Sequence, residues 1–405
     1  MRILMLKDYF YPEQCAGISL AQDLVKEFSE NNHFVEVFTP IPCRGITSDI
    51  RKKYRNKKIE SHGNATIHRY WLPYEKSSVL SRALRYFLQN IIQVWKGLRC
   101  SYDVILLGST PPTMGLVGTI LKKIKKKSFV YNLQDIFPDS LVTGNITHKG
   151  SVIWKIGSIV EKITYKNADH IIVISESFKQ NLLNKGVPEE KITVVSNWID
   201  IDEIYPVKKE NNRLYEEFSI SRDKFLVVYA GNFGAAQGAD IILKSAEQLK
   251  NYSDIQFVIF GGGAEFATAK KIVADHELSN VIIHDLLPSE RVSEVYSLGD
   301  IALITCKNGV GKAGMPSKTW SIMACNTPIV ASFDTESELN LIVSAAKAGI
   351  CIEPENSEKL SEAILEYKTK SYTNVGRARA YVIEHASRDV CVRQYKDILE
   401  QQCIK

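Results

Sequence analysis

Short β-branched runs alternate with amphipathic stretches along the whole chain. In the first half, RILML, FVEVFT, ATIHRYW, DVILLGS, FVYNLQD, HIIVIS and ITVVSN are each separated by a loop or a helical pattern, the spacing of βα units that build a parallel sheet. A polar stretch, EIYPVKKENNRLYEEFSISRDK at 203–224, interrupts the series. The pattern then restarts with FLVVYAG, IQFVIFGGG, NVIIHDLL, DIALITC, PIVAS and GICIEP. It predicts an α/β chain of two Rossmann-like domains facing one another across a central cleft, residues 1–197 and 198–385, with 197–224 as the connection. The closing segment VCVRQYKDILEQQCIK has helical spacing, and residues 386–405 are expected to return to the first domain. There is no internal repeat.

Sheets of this kind bind ligands beyond the carboxyl ends of their strands, so the loops that follow the strands are where chemistry is expected. After the first strand, Gly17 stands just before a helical pattern, where its amide can approach an anion or where a glycine merely serves the turn. FVYNLQD runs into DIFPDS, which places Asp135 and Asp139 on either side of Pro138. Asp135 is the candidate base, Gln134 beside it can orient a substrate hydroxyl, and Asp139 suits either an acceptor contact or a helix start. In the second half the glycine-rich turns YAGNFGAAQG, with Asn232 and Gly234, and FGGGAEF, with Gly263 and Glu265, each follow a strand. The strongest local signal is KAGMPSKTWSIMACNTPIVAS at 312–332. There Gly314, Pro316 and Ser317 break the chain before a helical run, and Lys318 falls in its first turn, where the macrodipole disfavours a cation. A lysine in that place either snorkels to solvent or neutralises a ligand with more negative charge than one dipole can hold, such as a diphosphate.

Composition narrows the setting. The formal charge is only +5, but RKKYRNKK at 51–58 and LKKIKKK at 121–127 concentrate the basic residues in the first third. The eight cysteines form no CxxC pair or metal-like cluster, and the chain opens on a strand rather than a signal peptide, so a reducing cytosol is expected. No apolar run reaches the ~20 residues that span a bilayer. Residues 79–99 place Leu80, Leu84, Phe87, Ile91, Trp95 and Leu98 on one helical face, with Arg82, Arg85, Lys96 and Arg99 elsewhere. A core helix explains that pattern as well as a membrane-surface helix does. With the lysines of 121–127 nearby in sequence, the second reading gives a peripheral protein on the anionic inner face of the cytoplasmic membrane. No basic and aromatic residues interleave as in a nucleic-acid-binding module.

Five blocks, VISESFKQNLLNKGVPEEKITVVSNWIDIDEIYP, YAGNFGAAQGADIILKSAEQL, FVIFGGGAE, DLLPSERVSEVYSLGDIALI and PSKTWSIMACNTPIVAS, resemble in sequence and order those of the family 4 glycosyltransferases, of GT-B fold. DIFPDS, NWID and PSK together resemble a bacterial subgroup typified by the L-fucosaminyltransferases of O-antigen and capsule assembly. The resemblance implies a UDP-sugar donor held mainly by the second domain and a polyprenyl-diphosphate-linked glycan acceptor held by the first. It implies transfer of a sugar such as an N-acetylated deoxyhexosamine, with retention and with neither metal nor cofactor. Lys318, with Pro316 and Ser317, would hold the diphosphate, aided by Lys312. Gly17, Asn232, Gly234, Gly263, Glu265 and Leu287 would line the donor, and Ser321 or Glu338 would meet the ribose. Gln134, Asp135 and Asp139 would face the acceptor. The chain departs from the family pattern at three places. Ala313 and Ser321 stand where many members have two glutamates, Asn232 and Gln237 replace a basic pair, and Gln134 and Asp135 follow the strand where a histidine is common. A nucleotide-sugar epimerase of the same fold and a non-catalytic glycan-binding subunit are the alternatives.

Overall fold

RILML forms β1 (Arg2–Leu6) with its last four residues buried, as expected of a strand covered on both faces of a parallel sheet. β1 sits inside an eight-stranded sheet with β2 (Phe34–Pro40), β3 (Ile59–His62), β4 (Ala65–Tyr70), β5 (Val104–Gly108), β6 (Ser128–Leu133), β7 (His170–Val173) and β8 (Ile192–Val194), in the order β3-β4-β2-β1-β5-β6-β7-β8. All neighbours are parallel except β3, which runs antiparallel to β4. The computed structural model describes every residue except 14, 16, 76–77, 144–146, 312–313, 371–375 and 405, and all but the side chains of 79, 80, 143 and 404. The predicted contributions of Lys312, of Ala313 and of the Leu80 side chain therefore lie outside the described residues.

The chain divides into two compact units, one of Met1–Asn197 with Cys391–Lys405 and one of Trp198–Val390. In the first, β3 escapes the hydrophobic pattern for a clear reason. Its inward residue is Glu60, a carboxylate satisfied by the buried guanidinium of Arg69 at 2.8 Å, while Ile59 is exposed. The closing helix Arg388–Ile404 ends in this unit, where Ser128 Oγ donates to the Gln402 carbonyl at 2.6 Å.

Helix Val79–Arg99 is inverted relative to ordinary amphipathicity. Arg85, Gln89, Gln93 and Gly97, spaced four apart, are the buried residues among those described, while Leu84, Phe87, Ile91 and Trp95 are 46–62% exposed. Gln93 Nε2 donates to the Lys7 carbonyl at 3.0 Å and Arg85 donates to the Pro73 carbonyl, so backbone acceptors hold the polar face inward. Leu98 alone of the described predicted row packs against the core. The core-helix reading of that row thus fails for its four exposed members.

The second unit is a six-stranded, all-parallel sheet of β9 (Phe225–Asn232), β10 (Ile255–Gly262), β11 (Val281–Asp285), β12 (Ile301–Thr305), β13 (Ile329–Ser332) and β14 (Gly349–Ile352), ordered β11-β10-β9-β12-β13-β14. The order reverses between β9 and β12, which makes their carboxyl ends the place where such a sheet opens for a ligand. The polar stretch 203–224 is no free connection. Leu214, Tyr215 and Ile220 are buried in this unit's core, and Asn212 Nδ2 donates to the Glu294 carbonyl at 2.7 Å. Three apolar anchors spaced among charges carry too little periodicity to be read as core.

Candidate active site

At the reversal point of the second sheet, the loop after β12 is pinned before it reaches Lys318. Asp334, buried after β13, accepts from the amides of Gly309 and Gly311 at 2.9 and 2.8 Å. The chain then passes Pro316 and Ser317 into helix Lys318–Ala324, anchored by buried Trp320, Ile322 and Met323. Ser317 is exposed and its side chain makes no capping bond. The helix is only seven residues long, so charge at its start rests on side chains more than on a dipole.

Lys318 turns inward. Its Nζ lies 4.1 Å from the centroid of the Tyr229 ring and is buried without a hydrogen-bond partner. Burial pulls this ammonium down to about 8. The amine occupies the space a side chain at Gly231 would need, since a Cβ there would stand 2.6 Å from it. Tyr229 is held in turn by its hydroxyl, which donates to the Asn232 carbonyl at 2.9 Å. Asn232 Nδ2 donates to Gln237 Oε1 at 3.1 Å, so the two residues that replace the family's basic pair bond to each other. The side chain of Asn232 fills the room left by two glycines. A Cβ would meet its Oδ1 at 1.9 Å from Gly263, and its Nδ2 at 2.8 Å from Gly234. Gly231, Asn232, Gly234, Gly263 and Lys318 are thus brought together at the ends of β9 and β10.

The remaining predicted donor residues are more scattered. Glu265 is exposed, its amide donating to the Phe233 carbonyl at 2.9 Å, just before helix Phe266–Asp275. Leu287 is half-buried against the core, next to Leu286, whose side chain covers Gly262. Ser321 is half-buried one turn after Lys318. Glu338 opens helix Glu338–Ala345 beside Tyr381, whose hydroxyl is pushed up first by burial and then by that carboxylate. Tyr381 stacks on Trp320 with 6.4 Å between ring centroids.

In the first unit, Ser109 Oγ, just past β5, accepts from the amides of Gln134 and Asp135 at 3.0 and 3.1 Å. This fixes the turn after β6. Asp135 is exposed in area, yet enough protein surrounds its carboxyl for desolvation to push it up, against a hydrogen bond from Ser140 Oγ at 3.1 Å. Gln134 Nε2 donates to Asn132 Oδ1 at 2.8 Å. Asp139 begins helix Asp139–Thr143, and its carboxylate is engaged by Lys185 at 2.8 Å and Asn181 at 3.2 Å. That commits it to structure. Gly17 has φ 77° with nothing within 4 Å of a Cβ built on it, so the backbone conformation and not a close contact calls for glycine.

Two carboxylates here escape a reading based on the later loops. Glu13 is buried and accepts from the amides of Phe10, Cys43 and Arg44 at 3.2, 2.7 and 3.0 Å, tying the loop after β1 to the loop after β2. Asp8, two residues past β1, is buried and its Oδ2 has no partner. Burial pushes it up to about 6 against the pull of the Lys7 ammonium. An acid two residues after the buried run Ile3–Leu6 was the available signal. Among the described residues no three His, Cys, Asp or Glu side chains converge as a metal site.

Two α/β units, each with polar side chains gathered past its strand ends, define a chain of the two-Rossmann type, and comparison with known proteins makes the class specific. Residues 19–203 match the model described as Glycosyltransferase Family 4, and residues 211–388 match Glycosyl transferases group 1. The chain belongs to these glycosyltransferases and has the GT-B fold. It is 24% identical over 406 residues, 98% of both chains, to an Escherichia coli K12 protein described as the colanic acid biosynthesis glycosyl transferase WcaI. It is 24% identical over 220 residues, 53% of this chain and 55% of the other, to the N,N'-diacetylbacillosaminyl-diphospho-undecaprenol alpha-1,3-N-acetylgalactosaminyltransferase of Campylobacter jejuni. Among solved structures, Anabaena Alr3699/HepE in complex with UDP superposes with a TM-score of 0.72 at 16% identity, over 99% of this chain and 100% of that one.

Proposed function

We propose that this glycosyltransferase moves a sugar from a UDP-sugar to a polyprenyl-diphosphate-linked glycan in the synthesis of a bacterial surface polysaccharide, O-antigen or capsule. The sugar we assign is an N-acetylated deoxyhexosamine of the L-FucNAc kind, transferred with retention and without a metal. The observation that carries this reading is the amine of Lys318, buried over the Tyr229 ring with no hydrogen-bond partner at the sheet's reversal point. A buried ammonium lacking a partner is costly unless a ligand supplies the counter-charge. A diphosphate does so, and the same amine then stabilises the negative charge that grows on the leaving group as the glycosidic bond breaks. Asp135, pushed up by desolvation, positions the acceptor hydroxyl and takes its proton. The UDP-bound Anabaena structure and the diphospho-undecaprenol acceptor in the Campylobacter relative's name support the donor and acceptor classes.

Attachment to an anionic membrane through 79–99 and 121–127 fits the outward apolar row of helix Val79–Arg99. Within 121–127, Lys122 is paired with Asp169 at 2.6 Å, Lys125 donates to the Leu98 carbonyl at 3.2 Å, and Lys127 lies 3.9 Å from Asp103. Lys123 and Lys126, and Lys127 beside Asp103, are exposed and can meet a headgroup. Among the described residues no helix is long and apolar enough to cross a membrane.

A panel of UDP-sugars and UDP alone, screened for thermal stabilisation and then for transfer, tests the donor assignment. Stabilisation by UDP that disappears in Lys318→Ala is expected. UDP binding of equal strength in that variant would remove Lys318 from the diphosphate site.

A further inference from the structure

Helix Val152–Asn167 takes no part in the reading so far, and its surface is unusual. Val152, Ile153, Ile156, Ile159 and Ile163 are 38–73% exposed. At 3.6 residues per turn they fall within one arc of about 120°. Lys155, Lys162 and Lys166, all exposed, run along one border of that arc. The helix's one acid, Glu161, is drawn away to Lys185 at 2.5 Å. On the opposite side Gly157, Thr164 and Tyr165 are buried, and Gly157 lies so close to Pro138 that a Cβ would stand 2.8 Å from it. The inward face is therefore already satisfied, and the isoleucines are surplus to the core.

The neighbours continue the surface. Helix Met114–Lys125 packs against both this helix and Val79–Arg99, and it exposes Ile120 and Ile124. Beyond it, Trp95 is exposed with the Arg99 guanidinium 3.9 Å from its ring centroid. A soluble monomer rarely presents aliphatic rows on three adjacent helices. A basic border beside an aliphatic centre, with an aromatic residue capped by arginine at its edge, complements a bilayer surface whose headgroups are anionic and whose interior is apolar.

We infer that Val152–Asn167 is an interfacial helix that lies in the plane of an anionic membrane. Its isoleucines enter the acyl boundary while Lys155, Lys162 and Lys166 meet the lipid phosphates. The inference rests on the membrane reading given above and adds a helix that reading does not use.

Sedimentation of the full chain with phosphatidylcholine vesicles, with and without phosphatidylglycerol, tests it. The wild type is expected to bind the anionic vesicles, less so at high salt. Ile156→Asp/Ile159→Asp should weaken that binding about tenfold or more, with melting temperature and UDP binding unchanged because both sites are exposed. Lys155→Glu/Lys162→Glu/Lys166→Glu should abolish the preference for phosphatidylglycerol. If the wild type ignores vesicles, the membrane reading falls and this inference with it. If the wild type binds and Ile156→Asp/Ile159→Asp binds equally, while Phe87→Asp/Ile91→Asp does not, the membrane reading stands and the role of Val152–Asn167 is overturned. The inference is equally overturned if the isoleucine variant converts a dimer to a monomer without touching vesicle binding, since the face would then join copies of the chain.

Discussion

At the scale of single residues, the proposed role of Lys318 sets function against stability. Its folded-state pKa, about 8, lies below the roughly 10.4 of a free lysine. The unfolded chain therefore holds more protons between those values. Below pH 8 the buried charge costs the full penalty, on the order of 3 kcal/mol, and the penalty fades as pH rises towards 10.4. Lys318→Met should accordingly raise the melting temperature at pH 7, raise it less at pH 9.5, and weaken UDP binding by about tenfold or more. A variant that melts lower and still binds UDP would contradict the unpartnered ammonium. Binding has its own pH signature. A diphosphate restores the proton, so UDP affinity of the wild type should be level below pH 8 and fall above it, as calorimetry at pH 7, 8 and 9 can register. Asp8 carries the opposite sign. Its folded value of about 6 exceeds the ~3.9 of a free aspartate, so the folded chain holds the extra proton and Asp8 costs stability above pH 6 but not below about pH 4. Asp8→Asn should raise the melting temperature at pH 8 and leave it nearly unchanged at pH 4.

Among elements, the informative ones are those the hydrophobic pattern misjudges. Every strand with an apolar inward face is legible as a run, because burial on both sides of a parallel sheet selects β-branched residues without interruption. β3 is not, because Glu60 and Arg69 replace its apolar contact with an ion pair. Helix Val79–Arg99 is legible as a helix, but which side faces inward is not. Periodicity records that two faces differ, and only the backbone acceptors at Lys7 and Pro73 decide that Arg85 and Gln93 point in. The site shows the same limit. PSK stands out through local chemistry, whereas Tyr229, which receives the amine, and Asp334, which pins the approach, act through contacts made by other strands. Asp334→Ala removes the acceptor for two amides and should cost roughly 2–3 kcal/mol in denaturant melts. It should weaken UDP binding as the loop before Lys318 loosens. Asp334→Asn, which keeps one acceptor oxygen, should recover part of both. Loss of stability with unchanged UDP affinity would show that the 309–311 loop does not position Lys318.

For the whole molecule, the division into Met1–Asn197 with Cys391–Lys405 and Trp198–Val390 makes the donor assignment testable without any knowledge of the sugar. Each unit has its own sheet and its own buried cluster, with Leu4, Ile105 and Phe129 in one and Leu226, Val258 and Phe260 in the other. Amide exchange can therefore report on each separately. A nucleotide bound only by the folded second unit adds about 2.7 kcal/mol to it at a hundredfold excess over Kd. Amides of β9, β10 and β12 that exchange only when that unit opens should then slow by about a hundredfold, given 1.4 kcal/mol per decade. The segments around Gly231–Gly234 and Lys318 should show protection even where exchange is local, because the ligand covers them directly. Amides of the turn after β6, which carries Asp135 under Ser109, should be unaffected by UDP and respond only when an acceptor is added. Protection by UDP alone that appears first at 134–140 and leaves the ends of β9 and β10 unchanged would move the nucleotide to the other unit and leave the buried amine of Lys318 without its ligand.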